Sequence, residues 1–161
     1  MERNGVDMAR TIVVALDGSP VAEEAVPVAA HLAGDRDGVL LLLRVVPPPP
    51  AQVWEYPMMP LMENPAELER EDREAAEKYL EAVQRTLAGP TRLMVREGMP
   101  AAEILAAARQ VDAEFIVMTT HGRTGLARMV MGSVADAVVR GSPVPVVLMC
   151  PHRIAAEQAA R

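Results

Sequence analysis

The sequence predicts a single α/β domain built on a parallel sheet, and three observations lead to this prediction. Short apolar segments alternate with segments of helical periodicity along the whole chain. The strand-like segments are apolar on both faces, as strands are when helices cover both sides of a sheet. The length of 161 residues is close to the size of one domain, about 150 residues. Right-handed crossovers are therefore expected to join the strands.

The first strand and helix are the most clearly marked. Thr11–Leu16 is short, β-branched and apolar, so we predict a buried strand. Ser19 is a good helix cap and Pro20 suits the first helical turn. The apolar residues that follow recur at helical spacing as far as Ala33. Because Pro27 removes a backbone donor inside this helix, we expect a bend there.

The middle of the chain contains a second strand, a proline-rich segment and a long helix. Val39–Val46 is a continuous apolar run and completes a β-α-β unit. Pro47–Pro65 contains half of the 14 prolines, so we expect a long flexible loop, acting as a lid, a spacer or a dimer contact. Ala66–Leu87 then predicts a helix with carboxylates early, where the helix dipole favours them.

The last third of the chain continues the alternation. We predict strands at Thr91–Val95, Glu114–Thr119 and Val144–Met149, and helices at Ala101–Val111 and from Gly132 to Val139. We expect one domain over 1–161, with an ordered core of about 9–150 and a C-terminal tail at 151–161.

Composition excludes several classes of protein. The formal net charge of −6 repels a phosphate backbone, so general nucleic-acid binding is not expected. Lys78 is the only lysine and has no glycine-rich loop before it, which rules out a P-loop. Cys150 is the only cysteine, so an internal disulfide and a cysteine-rich zinc site are excluded. Three histidines, at positions 31, 121 and 152, lack metal-ligand spacing.

Hydropathy gives no sign of a membrane segment or of a secretion signal. The longest apolar run, Val39–Pro50, is interrupted by Arg44 and is shorter than the ~18 residues needed to cross a bilayer. The beginning of the chain lacks a basic segment followed by an apolar run. We therefore expect a cytoplasmic protein without membrane contact.

Two segments of the predicted sheet are candidates for binding. Ligands of parallel sheets bind beyond the carboxyl ends of the strands, where the winding direction switches. Asp17 follows the first strand, and a glycine-containing loop from His121 onward follows the fourth. Gly132 and Ser133, at a predicted helix start, offer backbone N–H groups, a hydroxyl and a positive dipole end, which suit phosphate. The alternative is that these residues only turn the chain and cap the helix.

Four stretches of sequence resemble the universal stress protein family over nearly all of Ala9–Cys150. They read VALDGSPVAEEA, VREGMPAAEIL, THGRTGLARMVMGS and PVPVVLM. The family's nucleotide-binding branch has the pattern G-x2-G-x9-G-[ST], which Gly122, Gly132 and Ser133 fit. The first glycine of the pattern is Thr119 here. Its branched side chain either crowds the phosphates or donates a hydrogen bond to them.

The resemblance implies a Rossmann-like open sheet of five parallel strands, in the order 3-2-1-4-5, with helices on both faces. Val144–Met149 is then an edge strand, and its antiparallel pairing with a second copy implies a homodimer. The implied ligand is ATP with Mg²⁺, with Asp17 on the phosphate and metal side and Val45 in the adenine slot. The implied nucleotide-binding residues are Ala15, Leu16, Asp17, Val45, Met118, Thr119, His121, Gly122, Arg123, Gly132, Ser133, Val134 and Ala135.

The sequence offers no catalytic residue. It has no G-x-S-x-G nucleophile elbow, so any ATP hydrolysis depends on Mg²⁺ and loop dipoles and is expected to be slow. The resemblance favours an ATP-binding regulatory or sensor domain in stress response. Two alternatives stay open: a dimeric interaction module that binds no nucleotide, which Thr119 favours, and a weak ATPase.

Overall fold

Five strands form one parallel sheet in the computed structural model of the chain. They are β1 (Thr11–Leu16), β2 (Val39–Val46), β3 (Thr91–Glu97), β4 (Phe115–Thr119) and β5 (Val146–Met149). Their order in the sheet is β3-β2-β1-β4-β5, and every neighbouring pair is parallel. The predicted fold class and strand order are confirmed.

The structure describes residues 10–34, 38–48, 65–120 and 131–150. Five helices lie within these ranges: α1 (Pro20–Glu23), α2 (Ala25–Gly34), α3 (Pro65–Gln84), α4 (Pro100–Gln110) and α5 (Ser133–Gly141). Most of the predicted proline-rich loop and the predicted tail lie outside the described residues. No helix in the described ranges combines the length and hydropathy that a membrane span requires.

Two apolar clusters fill the space between the sheet and its helices. Side chains alternate along each strand, so neighbours such as Val13 and Val14 point to opposite faces. Val14 belongs to the cluster under α1, α2 and α3, which includes Leu80. Val13 belongs to the cluster under α4 and α5, which includes Val138. All four of these side chains are fully buried. Burial on both faces explains why the strands read as continuous apolar runs.

The first helix breaks one turn earlier than expected. Ser19 caps α1 as predicted, since its Oγ accepts a hydrogen bond from the Ala22 N–H at 3.1 Å, and Pro20 is in the first turn. The break lies at Glu24, and not at Pro27. Proline has no N–H to bond the carbonyl four residues back, here that of Glu23, and its ring crowds that carbonyl. Pro27 therefore interrupts the helical hydrogen bonds at Glu23, where α1 ends.

Other element ends differ from the prediction for backbone reasons. β5 begins at Val146 instead of Val144, after Pro145, which has no N–H to donate. α3 ends at Gln84 because the next turn tightens: the N–H groups of Thr86 and Leu87 bond carbonyls three residues back. These shifts leave the sheet order and the loops after β1 and β4 unchanged.

Candidate functional site

A cavity of about 390 Å³ opens at the carboxyl ends of β1, β2 and β4. This volume is within the ~300–1,000 Å³ range of small-molecule sites. Its position follows from the topology. β1 connects to β2 on one side and neighbours β4 on the other, so the crossovers leave the sheet in opposite directions and open a crevice between them.

Ten of the thirteen residues predicted for the nucleotide site line this one cavity. They are Ala15, Leu16, Asp17, Val45, Met118, Thr119, Gly132, Ser133, Val134 and Ala135. They come from β1, β2, β4, the β1–α1 turn and the start of α5, segments far apart in the sequence. The other three, His121, Gly122 and Arg123, lie outside the described residues. The structure thus brings together every predicted site residue that it describes.

The turn after β1 carries the acidic side of the cavity. The Ser19 N–H donates a hydrogen bond to Asp17 Oδ1 at 2.9 Å, which fixes this carboxylate above the turn. Asp17 is exposed and lines the cavity. Gly18 between them has φ +86°, a left-handed conformation that favours glycine. The turn therefore holds one carboxylate at the mouth of the cavity.

Thr119 ends β4 and Thr120 follows it, and the two residues differ in their hydrogen bonds. The Thr120 N–H donates to the Met149 carbonyl at 2.9 Å, and the Thr120 hydroxyl lies 3.4 Å from Cys150 Sγ. Thr120 thereby ties β4 to β5. Thr119 is only 6% exposed and lines the cavity, yet its hydroxyl makes no hydrogen bond within the described part of the chain. Its hydroxyl is therefore available to a ligand.

The start of α5 forms the opposite wall. Gly132 is the N-cap residue, with extended backbone at φ −62° and ψ 155° and no side chain to bond the first-turn N–H groups. A Cβ built on Gly132 would meet no described atom within 4 Å. The open N-terminus of a nine-residue helix carries a partial positive charge. Ser133 and Val134, which also line the cavity, belong to this first turn.

Six further residues line the cavity that were not expected from the sequence: Ala22, Leu43, Arg44, Pro47, Pro100 and Ile104. Leu43 shares a sheet face with Val45, two residues away, and strand alternation alone could have found it. Pro100 and Ile104 are in α4, and only the packing of α4 against β2 brings them to the cavity. With Val45 and Met118 they make this part of the wall apolar.

The charged side chains of Asp17, Glu23 and Arg44 lie close to Tyr79, on the α1 side of the sheet. The Tyr79 hydroxyl of α3 is buried beside this group. Burial, and then the nearby Glu23 and Asp17 carboxylates, raise the pKa of Tyr79, while the Arg44 charge acts in the opposite direction. Tyr79 is therefore a neutral phenol throughout the physiological pH range.

The described residues contain no group of three or more histidine, cysteine or carboxylate side chains that could hold a metal ion alone. Asp17 is the one carboxylate among the described lining residues. Mg²⁺ commonly binds through one or two carboxylates together with ligand phosphates. A single carboxylate in the lining of a cavity that also contains the open first turn of α5 fits that mode and does not fit a protein-only metal site.

Comparison with known proteins extends over most of the chain. Residues 8–149 match the model of the universal stress protein family. A universal stress protein of Methanocaldococcus jannaschii is 33% identical over 147 residues, which cover 91% of this chain and 85% of the relative. One of Synechocystis is 34% identical over 149 residues, with 90% and 88% covered.

Solved structures share the same architecture. The structure of hypothetical protein MJ0577 aligns with a TM-score of 0.71 at 25% identity, over 89% of this chain and 96% of that protein. A universal stress protein from Archaeoglobus fulgidus in complex with dAMP gives 0.57 at 21% identity, over 88% and 98%. The crystal structure of a universal stress protein in complex with cAMP gives a TM-score of 0.57 at 22% identity, over 88% of this chain and 97% of that protein. From the family match, the identities and the strand order together, this chain belongs to the universal stress protein family.

Proposed function

We propose that this chain binds an adenine nucleotide, ATP with Mg²⁺, in the cavity at the carboxyl ends of β1, β2 and β4, and acts as a nucleotide-dependent regulatory domain in stress response. The observation that carries the proposal is the convergence on one cavity of ten residues that the resemblance to the family implies as nucleotide ligands. Structures of family members in complex with cAMP and dAMP support it.

The cavity has two chemically different walls that suit the two parts of a nucleotide. Val45, Ile104 and Met118 form an apolar wall, and each is at most 8% exposed. An apolar slot buries the faces of a purine. The open first turn of α5, at Ser133 and Val134, is suited to a phosphate because its N–H groups lack a side-chain cap.

Asp17 is the residue proposed to hold Mg²⁺. When bound, the metal would neutralise phosphate charge and orient the phosphate chain. Asp17 would supply one carboxylate ligand from its fixed position on the β1–α1 turn. Because this arrangement completes the metal's shell with ligand phosphates, metal binding is expected to depend on nucleotide.

The proposal makes this protein a binder of nucleotide, with ATP hydrolysis slow at most. Among the described residues, neither lysine nor histidine lines the cavity. Fast phosphoryl transfer needs a group that positions and activates the attacking nucleophile, as well as a metal. The only carboxylate among the described lining residues, Asp17, is assigned here to Mg²⁺. A weak ATPase would be favoured only by turnover well above the rate of a variant that does not bind ATP.

The outer strand β5 is proposed to pair with a second copy of the chain. β5 has β4 on one side only, and its Val146, Val147 and Leu148 are half-buried apolar residues. An exposed apolar edge strand invites pairing with another chain. Antiparallel pairing about a two-fold axis would satisfy both edges and give a homodimer.

The test is analysis of nucleotide carried by the purified protein. A denatured extract is expected to release adenine nucleotide at close to one per chain, and calorimetry on nucleotide-free protein is expected to give saturable ATP binding with Mg²⁺. Protein that carries no nucleotide and shows no heat of binding would contradict the proposal. That outcome would favour the alternative of a dimeric interaction module without nucleotide, to which Thr119 in place of the motif glycine points.

A further inference from the structure

Arg44 is the one cationic side chain among the described residues that line the cavity. It lies near the carboxyl end of β2, two residues after Leu42, which packs in the cluster under α1 to α3. Residues two apart in a strand share a face. Arg44 therefore lies on the same side of the sheet as α1.

The guanidinium group of Arg44 lies against the turn that carries Asp17. A Cβ built on Gly18 would be 3.3 Å from Arg44 Cζ and from both terminal nitrogens. The charged group is thus in contact distance of the β1–α1 turn. The glycine that this turn needs for its backbone also leaves room for the guanidinium.

The hydrogen bonds of Arg44 contrast with those of Arg96, the other half-buried arginine in the described ranges. Arg96 donates to Glu103 Oε2 at 2.7 Å and also to Gln110 Oε1. Arg44 makes no hydrogen bond or ion pair within the described part of the chain, although its guanidinium carries five N–H donors. The Asp17 and Glu23 carboxylates lie in the same region, but the N–H groups of the half-buried guanidinium have no acceptor among the described residues, so they keep the capacity to bond a ligand.

We propose that Arg44 is a specificity residue that binds a phosphate group of the nucleotide, so that the site selects phosphorylated nucleotides over nucleosides. The inference rests on the proposed function and adds a residue to the site. The Asp17 carboxylate lines the same cavity and would repel a phosphate, and the Arg44 guanidinium would offset that repulsion. Its planar fork also matches two phosphate oxygens at once.

The test compares ATP with adenosine in two Arg44 variants and a matched control. Arg44→Gln removes the charge, and Arg44→Met removes it while keeping an unbranched apolar chain. Arg92→Gln removes the same charge from β3, at an exposed position that does not line the cavity. Calorimetry gives the Kd for both ligands, and thermal unfolding confirms that each variant is folded.

In both Arg44 variants we expect the ATP affinity to fall about tenfold or more, with adenosine affinity nearly unchanged. The control is expected to keep both affinities within about twofold, since charges beyond ~10 Å are largely screened. Equal losses for ATP and adenosine, or no loss for either, would overturn the role of Arg44 while leaving nucleotide binding standing. Wild-type protein that binds neither ligand would overturn the proposed function, and the role of Arg44 with it.

Discussion

The two ends of the parallel sheet differ in how completely their polar groups are paired. At the amino ends, backbone groups join neighbouring segments: the Val39 N–H donates to the Arg10 carbonyl and the Glu114 N–H to the Thr11 carbonyl, each at 2.8 Å. Arg10 also lies 3.8 Å from the Glu114 carboxylate. This end of the sheet is closed by the protein's own contacts.

At the carboxyl ends the described residues leave several polar groups without partners. The Thr119 hydroxyl and the Arg44 guanidinium make no hydrogen bond there, and the first turn of α5 has no side-chain cap at Gly132. Buried polar groups are nearly always paired in folded proteins. The amino end is thus held together by the protein's own contacts, whereas the carboxyl end has unused hydrogen-bonding capacity, as the proposed nucleotide site requires.

The two outer strands show the same contrast. β3 is bordered by charged side chains, with Arg73 bonded to Glu97 at 3.2 Å and Arg96 to Glu103 at 2.7 Å. Charged side chains on an edge strand discourage pairing with another chain. The half-buried residues of β5, from Val146 to Leu148, are apolar. One outer edge is thus suited to solvent and the other to a second copy.

The largest expected effect is loss of nucleotide binding in Gly132→Val. The valine side chain would occupy the space where a phosphate approaches the Ser133 and Val134 N–H groups. Two charge-assisted bonds of ~1.5–3 kcal/mol each are lost, so we expect ATP affinity to fall about a hundredfold or more by calorimetry.

The fold should survive this change, because no described atom lies within 4 Å of the Gly132 Cβ position. Circular dichroism checks this. Gly89→Val is the matched control, since the Cβ position of Gly89 is equally open and Gly89 does not line the cavity. Wild-type ATP affinity in Gly132→Val would mean that phosphate binds elsewhere.

The second prediction concerns β5, where Val146→Pro is expected to convert the proposed homodimer into a monomer. Pro145 and Met149 accept bonds from the β4 side, from Ile116 and Thr120, at 3.1 and 2.9 Å. Bonding alternates along a parallel strand, so the Val146 N–H faces outward and proline removes only that donor.

Light scattering at micromolar concentration measures the assembly state. Val146→Ala keeps the backbone donor and is expected to remain dimeric, which separates backbone pairing from side-chain packing. A monomeric wild-type protein would exclude pairing through β5.

The third prediction tests the closed end of the sheet. In Gly38→Ala the new Cβ would lie 3.0 Å from the Arg10 carbonyl oxygen and 3.2 Å from Ala33 Cα. Crowding against backbone costs about 1–3 kcal/mol, so the free energy of unfolding in denaturant should fall by that amount. Nucleotide affinity should stay unchanged. Gly34→Ala, where nothing lies within 4 Å, is the control, and an equal loss of stability there would rule out crowding.

The smallest expected effect is at Thr119. Because its hydroxyl lacks a partner and the residue lines the cavity, we expect it to bond the nucleotide. Thr119→Val replaces the hydroxyl with a methyl group of similar size and should weaken ATP binding by about 1 kcal/mol, roughly fivefold. Thr119→Gly should weaken it similarly. Tighter binding in the glycine variant would indicate instead that the threonine side chain crowds the phosphates.

Local sequence determined the elements of this protein and the chemistry of its loops. A short apolar run is a property of neighbouring residues, so the predicted strands Thr11–Leu16 and Val39–Val46 match the structure residue for residue. The Ser19 cap is equally local. Loops after parallel strands emerge at one edge, which is why Asp17 and Ser133 were predicted together and line one cavity.

Only the tertiary structure determined which other residues contact these loops and line the cavity. Ile104 reaches the cavity because α4 packs on β2, and Arg44 reaches Gly18 because β1 and β2 are in a register that pairs Leu16 with Arg44. A local sequence pattern cannot predict such a contact, because packing brings together residues that are distant in the sequence. In the sequence, Arg44 only interrupts an apolar run. The tertiary structure places its guanidinium against Gly18 in the cavity lining, without a hydrogen-bond acceptor among the described residues.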